Sequence, residues 1–320
     1  MDSDLRHPFP RPACVSAGGS ARIRAALALL GALPLAGQPP PPAPLARLES
    51  EIRRITTSVN AAWGLYAKCL QTGETVALDA DTPMDTMSVI KIPLMVEVFR
   101  QVREGRFPLS DRHTVQAAEK RPGTGILRSL DDGAVVTVLD LITLMNIVSD
   151  NTATDILFAK AGGIEPVNAL MQSYGLATIR AVGPASDWFA ALRAAPSPAE
   201  FHRVGKTAFG WSSARDMGRL LEKIALGEAV SREASRKMLE IMRGQIYRTR
   251  IPRYVTGYAI PHKTGDFLPY IANDVGLLES PERTVVLCVF TARHFGSPAM
   301  IENAIGRVSE KIGDYFAWRR

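Results

Sequence analysis

Ser88 and Lys91 stand three residues apart in "TMSVIKIPLM", residues 86–95, a run that is apolar nearly all round. Residues at that spacing on a helix share a face, so a hydroxyl and an amine can meet. A serine hydroxyl attacks an acyl group only when a base takes its proton. Lysine is such a base only when deprotonated, against a reference pKa near 10.4. Burial among Met87, Ile90, Ile92 and Leu94 disfavours the ammonium and favours the neutral amine. Pro93 has no N–H to donate and is tolerated only near a helix start, which puts Ser88 at an N-terminus whose free N–H groups can stabilise an oxyanion. The ordinary alternative is a core helix whose lysine snorkels to water or pairs with a carboxylate. A Ser-x-x-Lys arises roughly once by chance in a chain of this size.

Two more short motifs follow in the chain. Ser149-Asp150-Asn151 closes a helical stretch that begins at Thr137, and these residue types are ordinary turn and cap formers. Lys263-Thr264-Gly265 closes the strand-like run "GYAIPHKTG", where a solvated strand end is the plain reading. Either tripeptide is expected well under ~0.1 times by chance, so the weight lies in both occurring, in this order, after the Ser-x-x-Lys.

Together these residues resemble the motifs of the penicillin-recognising serine hydrolases, and the 58 residues from Lys91 to Ser149 are close to the class A β-lactamase spacing. The surrounding "MSVIKIPLM", "LMNIVSDNTATDIL" and "HKTG" look like that class, over about residues 45–320. The resemblance implies Ser88 as the acylated nucleophile, Lys91 as proton acceptor or relay, and Ser149 as the hydroxyl that passes a proton to the leaving nitrogen. It implies Asn151 on the substrate's side-chain amide, and Lys263 and Thr264 on its carboxylate, with Lys263 depressing Lys91 further by like-charge repulsion. Gly265 completes that strand motif, and the N–H groups of Ser88 and Asp266 would form the oxyanion hole. No cofactor and no metal is implied.

The chain departs from that pattern most in one loop. Class A enzymes carry Glu-x-x-Leu-Asn before the helix that starts here at Ser213, and its glutamate activates the water that releases the acyl-enzyme. The segment "VGPASDWFAALRAAPSPAEFHRVGKTAFGW" has no such motif; Glu200 and Asp187 are its candidate carboxylates, and both read as surface residues. A missing general base costs on the order of 10²–10⁴ in rate, so release is expected to lag acylation. Asp266 and the pair Asn273-Asp274 also stand where a small residue and an arginine are usual, which predicts weaker binding of anionic lactams. Three functions remain: a class A-like β-lactamase, a related amide hydrolase or transpeptidase, and a lactam or cell-wall binder that acylates and stays. An α/β-hydrolase is disfavoured because no G-x-S-x-G occurs.

Positioning these groups needs elements from both ends of the chain. "LARLESEIRRI" has helical periodicity; "AWGLYAKCL" and "TVALDA" read as a hairpin turning at Thr72-Gly73. From about 107 to 245 the signals are nearly all helical, with capping boxes at Thr137/Asp140 and Ser213/Asp216 and a stop at Gly227. Strands return in "GYAIPHKTG", "NDVGLLES" and "RTVVLCVFTA", before a last amphipathic helix from Pro298 to Trp318. The expected fold is α/β (α+β): an antiparallel sheet built from both chain ends, flanked by helices, with an inserted all-helical domain, β-lactamase/transpeptidase-like. Its α/β part spans about 45–85 and 246–320, and its helical part about 86–245.

Composition fits a globular chain. The 320 residues are 46% hydrophobic, and 38 basic against 32 acidic residues leave +6. Residues 1–36 hold four arginines against two aspartates, a net +2, so +4 is scattered over the rest, too little for a nucleic-acid groove. The expected partner is a small molecule, a β-lactam or related amide, with no stable membrane insertion and a monomeric state. Residues 22–37, "RIRAALALLGALPLAG", are too short to span a bilayer; arginines before and small residues after predict a signal peptide over 1–36. The expected location is then periplasmic or secreted, or cytoplasmic if the leader is not a signal. Residues 37–44 form a proline-rich linker. Cys14 falls in the leader, and Cys69 and Cys288 sit in strand-like runs as buried free thiols rather than a disulfide framework. No HExxH or close His/Asp cluster supports a metal site.

Overall fold

Leu45, Leu48 and Ile52 recur at three- and four-residue spacing and form the buried stripe of α1, Ala43–Thr57. The computed structural model describes residues 43–204 and 208–317. The leader 1–36 and its cysteine lie outside the described residues.

After α1 the chain makes the expected hairpin, β1 Ala62–Cys69 and β2 Thr75–Leu78. Gly73 takes a φ of 74° in its turn, a conformation open to glycine at no steric cost. A two-residue strand β3, Met84–Asp85, leads into the nucleophile turn and then α2, Lys91–Arg103. Ile92, Leu94, Met95, Val96 and Val98 are all buried, because α2 runs through the middle of the helical block and has no solvent face to keep polar.

The intervening chain holds β4 Arg112–Thr114, β5 Val135–Thr137, α3 Val138–Ile147, α4 Asn151–Ala161, α5 Glu165–Ser173 and β6 Arg180–Ala181. It continues with α6 Ala185–Ala194, α7 Pro198–Val204, β7 Gly210–Ser212, α8 Ala214–Leu226 and α9 Arg232–Arg243. The expected capping box forms at Thr137/Asp140, while at Ser213 only the cap half does: Ser213 Oγ accepts from the Asp216 N–H, and the Asp216 carboxylate accepts from Thr178 instead of the Ser213 N–H. The block is not purely helical. Strands β4 and β5 pair with each other, and β3, β7 and β6 form a small antiparallel sheet that ties the nucleophile turn to the segment before α8.

The last elements are β8 His262–Phe267, β9 Ile271–Glu279, β10 Thr284–Ala292 and α10 Pro298–Ala317. The main sheet is antiparallel in the order β2-β1-β10-β9-β8, so both chain ends contribute as expected. Its strands alternate between two cores. Val285, Leu287 and Val289 face α1 and α10, while Val286, Cys288 and Phe290 face the helical block. Burial on both faces is why "VVLCVF" carries no polar alternation. Cys69 and Cys288 are free and buried. Lys263-Thr264-Gly265 opens β8 rather than closing a strand: residues 257–261 contribute only an isolated bridge at Ala259, and Pro261 has no N–H for a ladder.

Candidate active site

Met87–Ile90 form a single 3-10 turn at the head of α2, and Pro93 sits at the third helical position, where no intrahelical N–H is needed. Met87 holds a φ of 45°, and the half-buried Ser88 follows it. Gly265 of β8 lies beside this turn; a Cβ there would stand 2.4 Å from Thr86 O and 3.1 Å from the backbone nitrogen of Ser88. Only a residue without a side chain lets β8 come that close.

Lys91 is fully buried. Its Nζ lies 2.8 Å from Ser149 O, 3.0 Å from Ser149 Oγ and 2.9 Å from Asn151 Oδ1. These bonds run to the turn between α3 and α4, not along its own helix. Ser149 takes a φ of 55°, and Thr124 Oγ1 also donates to its carbonyl, at 2.7 Å. Asp150, for which the sequence offered no chemical role, anchors this turn: Oδ1 accepts from Ala153 N–H as the cap of α4, and Oδ2 accepts from Ile126 and Leu127 N–H. Asn151 Nδ2 donates to Pro122 O at 3.0 Å.

Lys263, also fully buried, donates to Thr264 O at 2.8 Å and to Ser149 Oγ at 3.1 Å. One serine hydroxyl therefore lies between two amines. Burial pushes Lys91 well below the usual lysine range, and the neighbouring Lys263 charge pushes it further. Burial brings Lys263 down to about 7, against the pull of Asp266 and Asp274. A neutral Lys91 has two N–H bonds for Ser149 O and Asn151 Oδ1 and one lone pair that can take a proton; among the described residues no hydrogen bond joins it to Ser88. The Thr264 hydroxyl is buried and, among the described residues, has no hydrogen-bond partner.

Arg250 is the site residue that sequence reading passes over. It lies in "IYRTRIPRY", which looks like a solvated basic run, yet its side chain is only 3% exposed. It pairs with Asp266 and with Glu302 of α10, and donates to Asn273 O at 2.9 Å. Asp274 is likewise engaged, accepting from Ile251 N–H at 3.0 Å and lying 2.8 Å from His262 Nδ1. The negative charge of Asp266 is therefore paired with the buried Arg250, and Asp274 lies against His262. Asn273 holds backbone instead of substrate, with Nδ2 on Asp85 O and Oδ1 on Thr291 N–H.

Neither loop carboxylate joins the constellation. Asp187 is exposed in the first turn of α6 and accepts from Ser186 Oγ; Glu200 pairs with Arg203 on α7. Apolar groups tie this segment down. Trp188 meets Phe267 of β8 edge-on at 5.1 Å and Phe201 at 5.3 Å, and a Cβ on Gly123 would touch both Phe189 and Asn151.

Residues 47–316 match the family described as the β-lactamase enzyme family. The chain belongs to that family. As a member it is a serine hydrolase of the β-lactamase type. It is 29% identical to a β-lactamase of Streptomyces fradiae over 315 residues, covering 95% of each chain. Among solved structures, a β-lactamase of Sphaerobacter thermophilus superposes with a TM-score of 0.74 at 29% identity, covering 84% of this chain and 97% of that one. A mutant of PBP-A, in an acyl-enzyme complex with penicillin G, matches at 27% identity and a TM-score of 0.74, covering 85% and 97%. This family member has the mixed fold of those proteins, and among its described residues no helix is long and apolar enough to cross a membrane.

Proposed function

We propose that this protein opens β-lactam amide bonds in the class A manner, through an acyl-enzyme on Ser88, with release of the acyl group as the slow step. Neutral Lys91 takes the Ser88 proton as the oxygen attacks the lactam carbonyl. The developing oxyanion is met by the N–H groups of Ser88 and Asp266. The carbonyl C–N bond then breaks, the leaving nitrogen takes the Ser149 proton, and Lys91 returns its proton to Ser149. Cationic Lys263 and the unspent Thr264 hydroxyl receive the substrate carboxylate, Gly265 lets β8 lie against the reacting centre, and Asn151 receives the side-chain amide. The observation that carries this reading is the position of Ser149 Oγ, 3.0 Å from Lys91 Nζ and 3.1 Å from Lys263 Nζ.

A second reading, an acylating binder with little turnover, is favoured by one feature: Asp187 and Glu200 are spent on Ser186 and Arg203. Intact-mass spectrometry after adding a penicillin tests both. A one-to-one adduct that forms quickly and decays supports the hydrolase; an adduct that never decays supports the binder. Failure of wild type to form any adduct, or an undiminished adduct on Ser88→Ala, rejects both.

The leader pattern supports export to the periplasm or medium. N-terminal sequencing of the secreted protein tests that, and an intact Met1 on protein confined to the cytoplasm rejects it.

A further inference from the structure

Met87 precedes the nucleophile with a φ of 45°, a left-handed conformation that side-chain-bearing residues adopt only when their surroundings impose it. The surroundings here are specific. Asp85 Oδ1 accepts the Met87 N–H at 2.8 Å, and Thr86 Oγ1 donates to Met87 O at 3.2 Å. Asp85 is itself fixed: β3 pairs it with Trp211, and Asn273 Nδ2 donates to its carbonyl at 2.8 Å. Thr86 N–H donates to Gly210 O at 2.9 Å. The left-handed residue is therefore bracketed by a carboxylate on one side and by two sheets behind it.

We propose that Asp85 is a positioning residue for Ser88: its carboxylate clamps the Met87 backbone in the left-handed turn that aims the nucleophile into the cleft. The inference rests on Ser88 being the nucleophile. It also predicts a switch. The carboxylate accepts the Met87 N–H, and the backbone at Phe209 and Gly210 also favours its ionised form, which can only accept. Protonation removes the charge that strengthens the bond from the Met87 N–H, and the clamp weakens. Burial pushes the Asp85 carboxyl up to about 7, so that change falls near neutral pH. The charged and titratable groups that share its cavity of about 1180 Å³ are Arg53, Asp79, His202, Arg203 and Arg293, and no charged side chain pairs with the carboxylate itself among the described residues. The cavity lining includes Asp85 and not Ser88, so solvent reaches the clamp from behind the nucleophile.

The test is the acylation rate of the full chain with a fluorescent penicillin from about pH 5.5 to about pH 8.5, bracketing the Asp85 titration. Wild type, Asp85→Asn, Asp85→Ala and a Ser88→Ala control are compared, with circular dichroism to verify folding. Wild type and Asp85→Asn share Lys91 and Lys263, so the ratio of their rates isolates Asp85. It should be about tenfold at the alkaline end and approach one at the acid end, because a protonated Asp85 resembles the amide. A ratio that stays constant across pH, or full-rate acylation by folded Asp85→Ala, overturns the proposal. If Asp85→Ala does not fold, the Asp85→Asn profile decides alone. Labelling of Ser88→Ala would instead remove the nucleophile assignment itself, and is told apart by that control.

Discussion

Gly265 and Ser88 are in contact through backbone alone: a Cβ on the glycine would come within 3.1 Å of the Ser88 nitrogen and 2.4 Å of Thr86 O. The strand that carries Lys263 and the turn that carries the nucleophile are registered by a missing side chain. Gly265→Ala must push the two apart, because neither backbone can yield as a flexible side chain would. A displacement of that size should lower nitrocefin kcat/KM by about 100-fold, with a stability loss of about 1–3 kcal/mol in thermal melts. Unchanged kcat/KM would show that the contact does not set the site.

The Ser149 hydroxyl is within hydrogen-bond reach of both buried amines. Ser149→Ala removes the proton path to the leaving nitrogen while Lys91 keeps the residue 149 carbonyl and Asn151 as partners. Acylation should slow by about 10²–10⁴, with the protein still folded. Stopped-flow labelling with a fluorescent penicillin reads this directly.

Lys263 titrates near 7, so its charge is present below that value and lost above it. Acylation by lactams bearing a carboxylate should therefore fall on the alkaline side of about pH 7, chiefly through KM. The sign for stability is opposite. Lysine pKa values depressed on folding mean that the unfolded chain binds more protons between about 7 and 10.4, so stability rises with pH through that window. Denaturant titrations at several pH values should show that slope, and Lys263→Met should reduce it.

Arg250 is buried between Asp266 and Glu302. Arg250→Gln leaves both carboxylates without their cation, at a cost of about 3–5 kcal/mol, and puts a bare negative charge beside Thr264. The melting temperature should drop, and KM for anionic lactams should rise more than KM for an uncharged ester.

Glu200 pairs with Arg203 and Asp187 accepts from Ser186, and among the described residues neither bonds to Ser88, Lys91, Ser149 or Lys263. Glu200→Gln and Asp187→Asn should each leave the decay of the acyl-enzyme mass unchanged within about twofold, far less than loss of a general base would cause. A large slowing in either variant would name it as the base.

Much of this fold was legible because local chemistry dictates it. Thr137 and Ser213 cap their helices through their own side chains, Gly73 turns its hairpin, and the β-branched run "VVLCVF" reads as a strand. The position of Lys263-Thr264-Gly265 was misread because the apolar run before it looks like strand, while Pro261 and the backbone of residues 257–261 make only a bridge. The short ribbon of β4 and β5 was missed since three-residue strands leave almost no periodic signal.

The sequence alone determined which chemistry was on offer: a hydroxyl and an amine at one helix head, a second hydroxyl and amide in a turn, and a second amine on a strand. Only tertiary structure decided how they connect, that Lys91 reaches across to Ser149, that Arg250 is buried against Asp266, and that Asp85 holds Met87. The physical reason is that ionisation and hydrogen bonding depend on burial and on partners remote in sequence, 188 residues apart for Asn273 and Asp85, and neither quantity is a property of local spacing.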